Sequence, residues 1–259
     1  MNYSTGKLRN KNYYHLAHQG STDLTHPAMK VLLKLFQDSE KVLDMGCGEG
    51  TRLNTLLKAT KLNGKQLIGI DASKIAIDSA RKQYPAIKFL VGDLEELPFK
   101  DNSFDLLYSA YVFEHLIHPE KVLNEAKRVL KSSGALVIIA PNFGSPNRRS
   151  PNSEESKLVK LLSGFVNDFS LLFANDSLNW VIVTPKTDIY TTDADTTVEP
   201  YILSLIKYCE NLGFKVQYFS SNWEVDKFSM FQLVFKILGN IGIYPFRYWG
   251  PHLSMVMQK

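Results

Sequence analysis

The chain has 259 residues, 44% of them hydrophobic and 22% charged, which suits one well-packed globular domain with decorations. Its net charge of +4 is too small to argue for a nucleic-acid partner, and Cys47 and Cys209 alone offer no disulfide framework, a usage that fits a reducing cytoplasm. The first residues lack the apolar core of a signal peptide and no uncharged apolar run is long enough to span a membrane, so a cytoplasmic chain without a membrane span is expected.

Residues 1–27 form a polar and aromatic arm with Tyr13, Tyr14, His15, His18 and His26, and a helix is expected from about Ala28 to Gln37. An apolar run then ends in Asp44 and passes at once into Gly46-x-Gly48-x-Gly50, and a helical pattern starts at Thr51. A strand that stops in a glycine-rich turn lets the backbone approach a ligand, because no Cβ stands in the way. The helix behind it turns its N-terminal amides toward the same spot. The spacing differs from the G-x-G-x-x-G of dinucleotide binders. The second strand, Gln66 to Asp71, ends in a carboxylate 27 residues after Asp44, about the length of one β-α-β unit. An acid there is able to accept hydrogen bonds from both hydroxyls of a ribose. A third strand, Ile87 to Asp93, also ends in an acid. The fourth, Asn102 to Ala110, leads into Tyr111-Val-Phe-Glu-His115-Leu116. Pro119 to Lys131 reads as a helix with Val122, Leu123, Ala126, Val129 and Leu130 on one face, and Gly134 to Ala140 as a fifth strand.

Pro141 to Thr197 is a long tract, polar at its start, where Arg148 and Arg149 are adjacent. It then carries a helical stripe of Leu158, Leu161, Leu162, Phe165 and Phe169. A tract this long is normally structured and often functional. From Asp193 onward two helix-start cues compete, the capping-box pattern Thr196-x-x-Glu199 and Pro200, so the next helix is expected to begin between 196 and 200. Its buried stripe is Tyr201, Ile202, Leu205, Ile206 and Cys209, and Gly213 ends it. Phe214 to Phe219 and His252 to Met257 are the sixth and last strands, with an extra segment, 221–250, between them. Residues 160–250 hold 18 of the 30 aromatic side chains, a concentration that serves either a ring-binding pocket or the core of a small cap.

Four ordered motifs carry a resemblance: VLDMGCGEG at 42–50, GIDAS at 69–73, VGDLEELPFKDNSFDLLYSAYVFEHL at 91–116 and LKSSGALVIIAPN at 130–142. Over about residues 28–142 they resemble the class I S-adenosylmethionine-dependent methyltransferases, of the small-molecule type. The resemblance implies an α/β fold, a doubly wound, seven-stranded, mostly parallel Rossmann-like sheet. Its strand order is 3-2-1-4-5-7-6 with the last strand antiparallel, and its insertions form a lid or cap. It divides the chain into an N-terminal arm or lid (1–27), a cofactor-binding core (28–142), a substrate-side insertion (143–197) and a C-terminal part (198–259) containing the inserted segment 221–250. It implies S-adenosylmethionine as cofactor and S-adenosylhomocysteine as product. Asp44 would then lie near the ammonium of the methionine end, and the turn of Gly46, Gly48 and Gly50 near its carboxylate. Asp71 would take the ribose hydroxyls, and Asp93 and Leu94 the adenine, with Ala72 and Ile75 as apolar walls. Ala110 would lie beside the methionine moiety.

Methyl transfer asks for alignment and exclusion of water more than for any obligatory catalytic residue. If a base is needed, His115, His15, His18 and Asp195 are the candidates, with His115 and His18 leading. The acceptor must approach beyond strands four and five, and an enclosed pocket of Tyr14, His18, Tyr111, His115, Asn142 and insertion aromatics is expected. After strand four the chain reads Ser109-Ala-Tyr-Val112, not the Asn/Asp-Pro-Pro-Tyr of enzymes that methylate amide or adenine nitrogen. Cys47 sits in the turn as an apolar spacer, and no second active-site cysteine supports pyrimidine-carbon methylation. There is no appended RNA-binding module, and no metal is expected. By elimination a small organic acceptor, methylated on oxygen, nitrogen or carbon, leads. The alternatives are an acceptor that is RNA or protein, and a non-catalytic S-adenosylmethionine-binding partner subunit. The oligomeric state is open.

Overall fold

The computed structural model describes residues 24–25, 27–60, 66–171, 178–186, 193–221 and 230–259. Helix α1 (Pro27–Asp38) precedes β1 (Lys41–Met45), α2 (Thr51–Thr60), β2 (Gln66–Asp71), α3 (Lys74–Gln83) and β3 (Lys88–Val91). Then come β4 (Phe104–Ala110), α4 (Pro119–Val129) and β5 (Leu130–Pro141). The remainder holds α5 (Lys157–Ser170), the short strands β6 (Val181–Ile182) and β7 (Val198–Glu199), α6 (Ile202–Asn211), β8 (Lys215–Ser220), α7 (Met230–Asn240) and β9 (His252–Gln258). Seven strands form one sheet in the order β3-β2-β1-β4-β5-β9-β8. The first five are parallel, and β9 runs antiparallel to both β5 and β8. This is the doubly wound, mostly parallel fold that the sequence implied.

Alternation along each strand builds the two layers. In β1, Val42 faces a cluster with Leu32 and Phe36 of α1, Leu53 and Leu56 of α2 and Ile77 of α3. Leu43 and Met45 face the other side, with Val122 and Leu123 of α4 and Ile202 and Leu205 of α6. Because the central strands are covered on both faces, they read as near-continuous apolar runs. β1 and β4 are neighbours from which the chain winds in opposite directions. The crevice at their carboxyl ends is the place where such sheets receive ligands.

Most boundaries fall within two residues of the sequence reading, and two differences have a structural lesson. β5 begins at Leu130, directly where α4 ends, instead of at Gly134. Helix α6 starts at Ile202, not between 196 and 200, and long-range contacts explain why. Val198 and Glu199 form β7 against β6. The Glu199 carboxylate is buried, ion-paired with Lys160 of α5, and accepts a hydrogen bond from Ser150 N at 2.9 Å. It is therefore not available to cap. The first-turn amide of Ile202 donates instead to Oδ1 of Asn142, 3.0 Å away at the end of β5. Asn142 Nδ2 also donates to the carbonyls of Tyr248 (2.7 Å) and Gly250 (2.9 Å), so one buried amide ties β5, α6 and the approach to β9 together.

Candidate functional site

β1 carries Asp44 into full burial at the sheet centre. The Tyr108 hydroxyl, from neighbouring β4, donates to Asp44 Oδ2 at 2.6 Å, while Asp44 Oδ1 has no hydrogen-bond partner. Burial pushes the Asp44 carboxyl up to about 7, against the pull of the Arg52 guanidinium and the Tyr108 hydrogen bond, and the Asp71 charge adds to the rise. An acceptor that is buried and unsatisfied marks a place for a donor or a cation.

The turn that follows is shaped by close approach. Gly46 has φ +82°, its N–H donates to Ile70 O at 2.8 Å, and a Cβ on it would lie 2.3 Å from Val112 Cγ2. Only glycine meets both conditions. Asp71, at the end of β2, fastens this turn: its Oδ2 accepts from Gly48 N (2.9 Å) and its Oδ1 from Ser73 N (2.8 Å). Ser73 in turn caps α3 by accepting from Ala76 N at 3.3 Å. Each carboxylate oxygen of Asp71 retains acceptor capacity beyond these single bonds. Ala72 is exposed beside it, and Ile75 on the first turn of α3 is 49% exposed, an open apolar surface next to a polar acceptor. Asp93, after β3, is exposed and accepts from Glu95 N at 2.9 Å, and Leu94 is buried. Asp44, the glycine turn, Asp71 and Asp93 thus stand along the carboxyl ends of three adjacent strands.

The exit from β4 supplies the second half of the site. Ala110 is buried, and its carbonyl accepts from Arg52 Nη1 at 3.2 Å. Tyr111 has φ +61°, uncommon for a bulky residue, and is 41% exposed. Its ring lies 5.8 Å from the Arg52 guanidinium. A single turn, Phe113–His115, then brings in His115. His115 Nδ1 is 3.1 Å from the Asp195 carbonyl, and its Nε2 is 3.8 Å from Asp195 Oδ2 and 4.0 Å from Glu114 Oε1. Donation from Nδ1 to that carbonyl leaves Nε2 as the basic nitrogen. Glu114 is 2% exposed, Oε2 has no partner, and burial together with Asp193 and Asp195 holds its carboxyl well above the usual range. Its backbone carbonyl accepts from Thr197 N at 2.9 Å, tying the β4 exit to the insertion.

His115 and Asp195 therefore meet, Tyr111 lies edge-on to His252 with ring centroids 6.4 Å apart, and the Asn142 amide is committed to bracing the chain. Tyr14, His15 and His18 lie outside the described residues. Sequence reasoning missed three members: Arg52, Tyr108 and Glu114. Arg52 is the buried countercharge beneath the turn, and an arginine two residues past the last glycine was the available signal. Tyr108 alternates onto the same face as Ala110, which placed its hydroxyl in the layer of Asp44. Among the described residues no group of three or more His, Cys, Asp or Glu side chains has the geometry to hold a metal.

Cys47 and Cys209 are both buried, and burial pushes both thiols up. Neither should react with a water-soluble disulfide reagent in the native protein, and both should react on unfolding. Rapid native labelling of Cys47 would contradict the spacer role.

A family profile described as a methyltransferase domain matches residues 43–138. A probable S-adenosylmethionine-dependent methyltransferase of Mycobacterium tuberculosis is 31% identical over 137 residues, 49% of this chain and 48% of that one. A norajmaline N-methyltransferase of Rauvolfia serpentina is 30% identical over 176 residues, 65% of this chain and 59% of that one. A demethylmenaquinone methyltransferase of Thermotoga maritima is 39% identical over 109 residues, 42% and 47% of the two chains. The chain spans about half the length of the curated relatives it matches. Among solved structures, an S-adenosylmethionine-dependent methyltransferase from Mesorhizobium loti superposes with TM-score 0.57 at 15% identity, covering 92% of this chain and 100% of that one. A corresponding protein from Listeria monocytogenes gives TM-score 0.60 at 15% identity, covering 93% and 99%.

Proposed function

The chain belongs to the class I S-adenosylmethionine-dependent methyltransferases, and from that premise we propose that it transfers a methyl group from S-adenosylmethionine to an oxygen, nitrogen or carbon of a small organic acceptor. The observation that carries the cofactor reading is the buried, unpartnered Oδ1 of Asp44 beside a turn that admits no side chain at Gly46. These residues fit the group. An anionic acceptor suits an ammonium, open backbone suits a carboxylate, the remaining lone pairs of Asp71 suit two hydroxyls, and exposed Ile75 with Leu94 suits a purine face. When bound, S-adenosylmethionine supplies a methyl group already activated by positive sulfur.

What the chain itself contributes is placement. Asp71 holds the glycine turn and orients a ribose, and Asp44 with Arg52 and Tyr108 fixes the charge below it. Tyr111 and His115 face the space beyond β4, and His115 Nε2 is the described nitrogen best suited to take a proton from an acceptor. The named activities of the alkaloid and quinone relatives support a small organic acceptor. Asp71→Asn keeps one amide acceptor and loses the charge, so calorimetry should show cofactor affinity weakened about tenfold, or about 1.4 kcal/mol. The activity itself is tested by screening small hydroxyl, amine and activated-carbon acceptors for S-adenosylhomocysteine release. Turnover only with RNA or protein would overturn the small-molecule reading.

A further inference from the structure

The loop between β5 and α5 encloses a cavity of about 370 Å³ whose lining includes neither Tyr111 nor His115. Phe143 and Pro146 give it an apolar side, and Asn147, Arg149, Ser150 and Lys157 a polar one. Distant partners pin this loop. Buried Lys160 of α5 donates to the Phe143 carbonyl at 2.7 Å and pairs with Glu199, whose Oε1 takes the Ser150 N–H. Buried Asp168, further along α5, accepts from Tyr201 (2.8 Å) and Trp249 (3.0 Å) and so fixes the helix itself. Asn152 Nδ2 donates to the carbonyls of Ala194 (2.8 Å) and Thr196 (3.0 Å). Those two residues flank Asp195, the neighbour of His115, so the loop and the exit from β4 share one frame. A cavity held in this way meets its ligand preformed.

One buried group in its wall is unsatisfied. Ser150 is 4% exposed, yet its hydroxyl has no hydrogen-bond partner. Donors with spare capacity stand around it. Arg149 gives Nη1 to the Glu155 carbonyl and keeps its other N–H groups. Asn147 Oδ1 accepts from Ser145, which leaves the amide N–H groups to donate. Lys157 is exposed, and no described carboxylate pairs with it. It also opens α5, a 14-residue helix whose first-turn amides lack intrahelical partners. No described carboxylate lines the cavity. Glu199 is neutralised by Lys160, Asp193 meets the charge of Arg148, and Glu155 Oε1 accepts from Ser163 on α5 at 3.5 Å. Glu154 is exposed and outside the lining, so these two loop acids temper the field without entering the cavity. Two cations and an orphaned hydroxyl beside an apolar surface match a doubly charged oxyanion on a small organic body. A carboxylate would leave one cation unanswered. We propose that this cavity binds the phosphomonoester group of a small organic molecule.

Calorimetry on the full chain should show one saturable site for phenyl phosphate, about tenfold tighter than for inorganic phosphate, since the ring meets Phe143 and Pro146. Benzoate should bind more weakly than phenyl phosphate, and salt should weaken both. Arg149→Gln with Lys157→Gln should cut affinity for phenyl phosphate about tenfold or more. Ser150→Ala should also weaken it while leaving the melting temperature equal or higher, because the hydroxyl it removes is buried without a partner in the empty protein. A hydroxyl with a purely structural role would cost stability on removal. Affinity for S-adenosylhomocysteine should stay the same in all variants, so the outcome is separate from that of the methyl-transfer reading. No saturable binding of phenyl phosphate, benzoate binding as tightly, or equal affinity in parent and variants would overturn the proposal. So would binding of inorganic phosphate alone, which assigns the cavity to a free anion.

Discussion

Gly46→Ala is expected to weaken S-adenosylmethionine binding more than a hundredfold and to destabilise the fold by about 3 kcal/mol. Two separable costs add up. The backbone at φ +82° disfavours any side chain, by about 1 kcal/mol. A Cβ placed 2.3 Å from Val112 Cγ2 forces Val112 or the turn to move, at about 1–3 kcal/mol. Movement of the turn also pulls on the Gly48 N–H bond to Asp71, so the damage reaches the ribose end. Adding Val112→Ala should remove the overlap but leave the backbone cost, recovering stability partly and affinity only in part. Calorimetry and thermal melting on the single and double variants check this. A Gly46→Ala protein with parental affinity would place the ligand elsewhere.

Asp44→Asn should divide stability from binding. In the ligand-free protein burial holds the Asp44 carboxyl near 7, above the value of about 4 for an unfolded aspartate. Between pH 4 and 7 the native state keeps a proton that the unfolded chain has released, so the parent loses stability as pH rises through that window. Above pH 7 the full penalty, on the order of 4 kcal/mol, is present. The asparagine variant carries no such penalty, so its melting temperature should exceed the parent's by several degrees at pH 8 and by little at pH 4. Binding should move the other way. The ammonium of the cofactor favours an ionised Asp44, so the parent should lead by about tenfold or more at pH 8, and the lead should shrink as pH falls below 7. An asparagine variant that melts below the parent at pH 8, or a pH-independent affinity gap, would refute the role.

The core was legible because its signals are local. Asp44, Gly46, Asp71 and Asp93 sit at strand ends within a few residues of the turns they shape, and short apolar runs ending in an acid or a glycine turn told the strands apart from the helices. What escaped was set by distant partners. Glu199 resembled a helix cap, yet Lys160, nearly forty residues upstream, drew it into a buried pair and moved the start of α6. The stripe on α5 was visible, but its direction depended on where Lys160 and Asp168 found hydrogen bonds. Arg52 and Tyr108 each looked ordinary alone. Their meaning lies in converging on Asp44, and only the register of β1 against β4 brings that about.

S-adenosylmethionine is expected to bind at the carboxyl ends of β1, β2 and β3. A calorimetric titration of the parent with S-adenosylhomocysteine at pH 8, repeated with Asp71→Asn, tests it most directly. One saturable site per chain is expected in the parent, and about tenfold weaker binding in the variant. No heat of binding by the parent, or equal affinity in the two proteins, would contradict it.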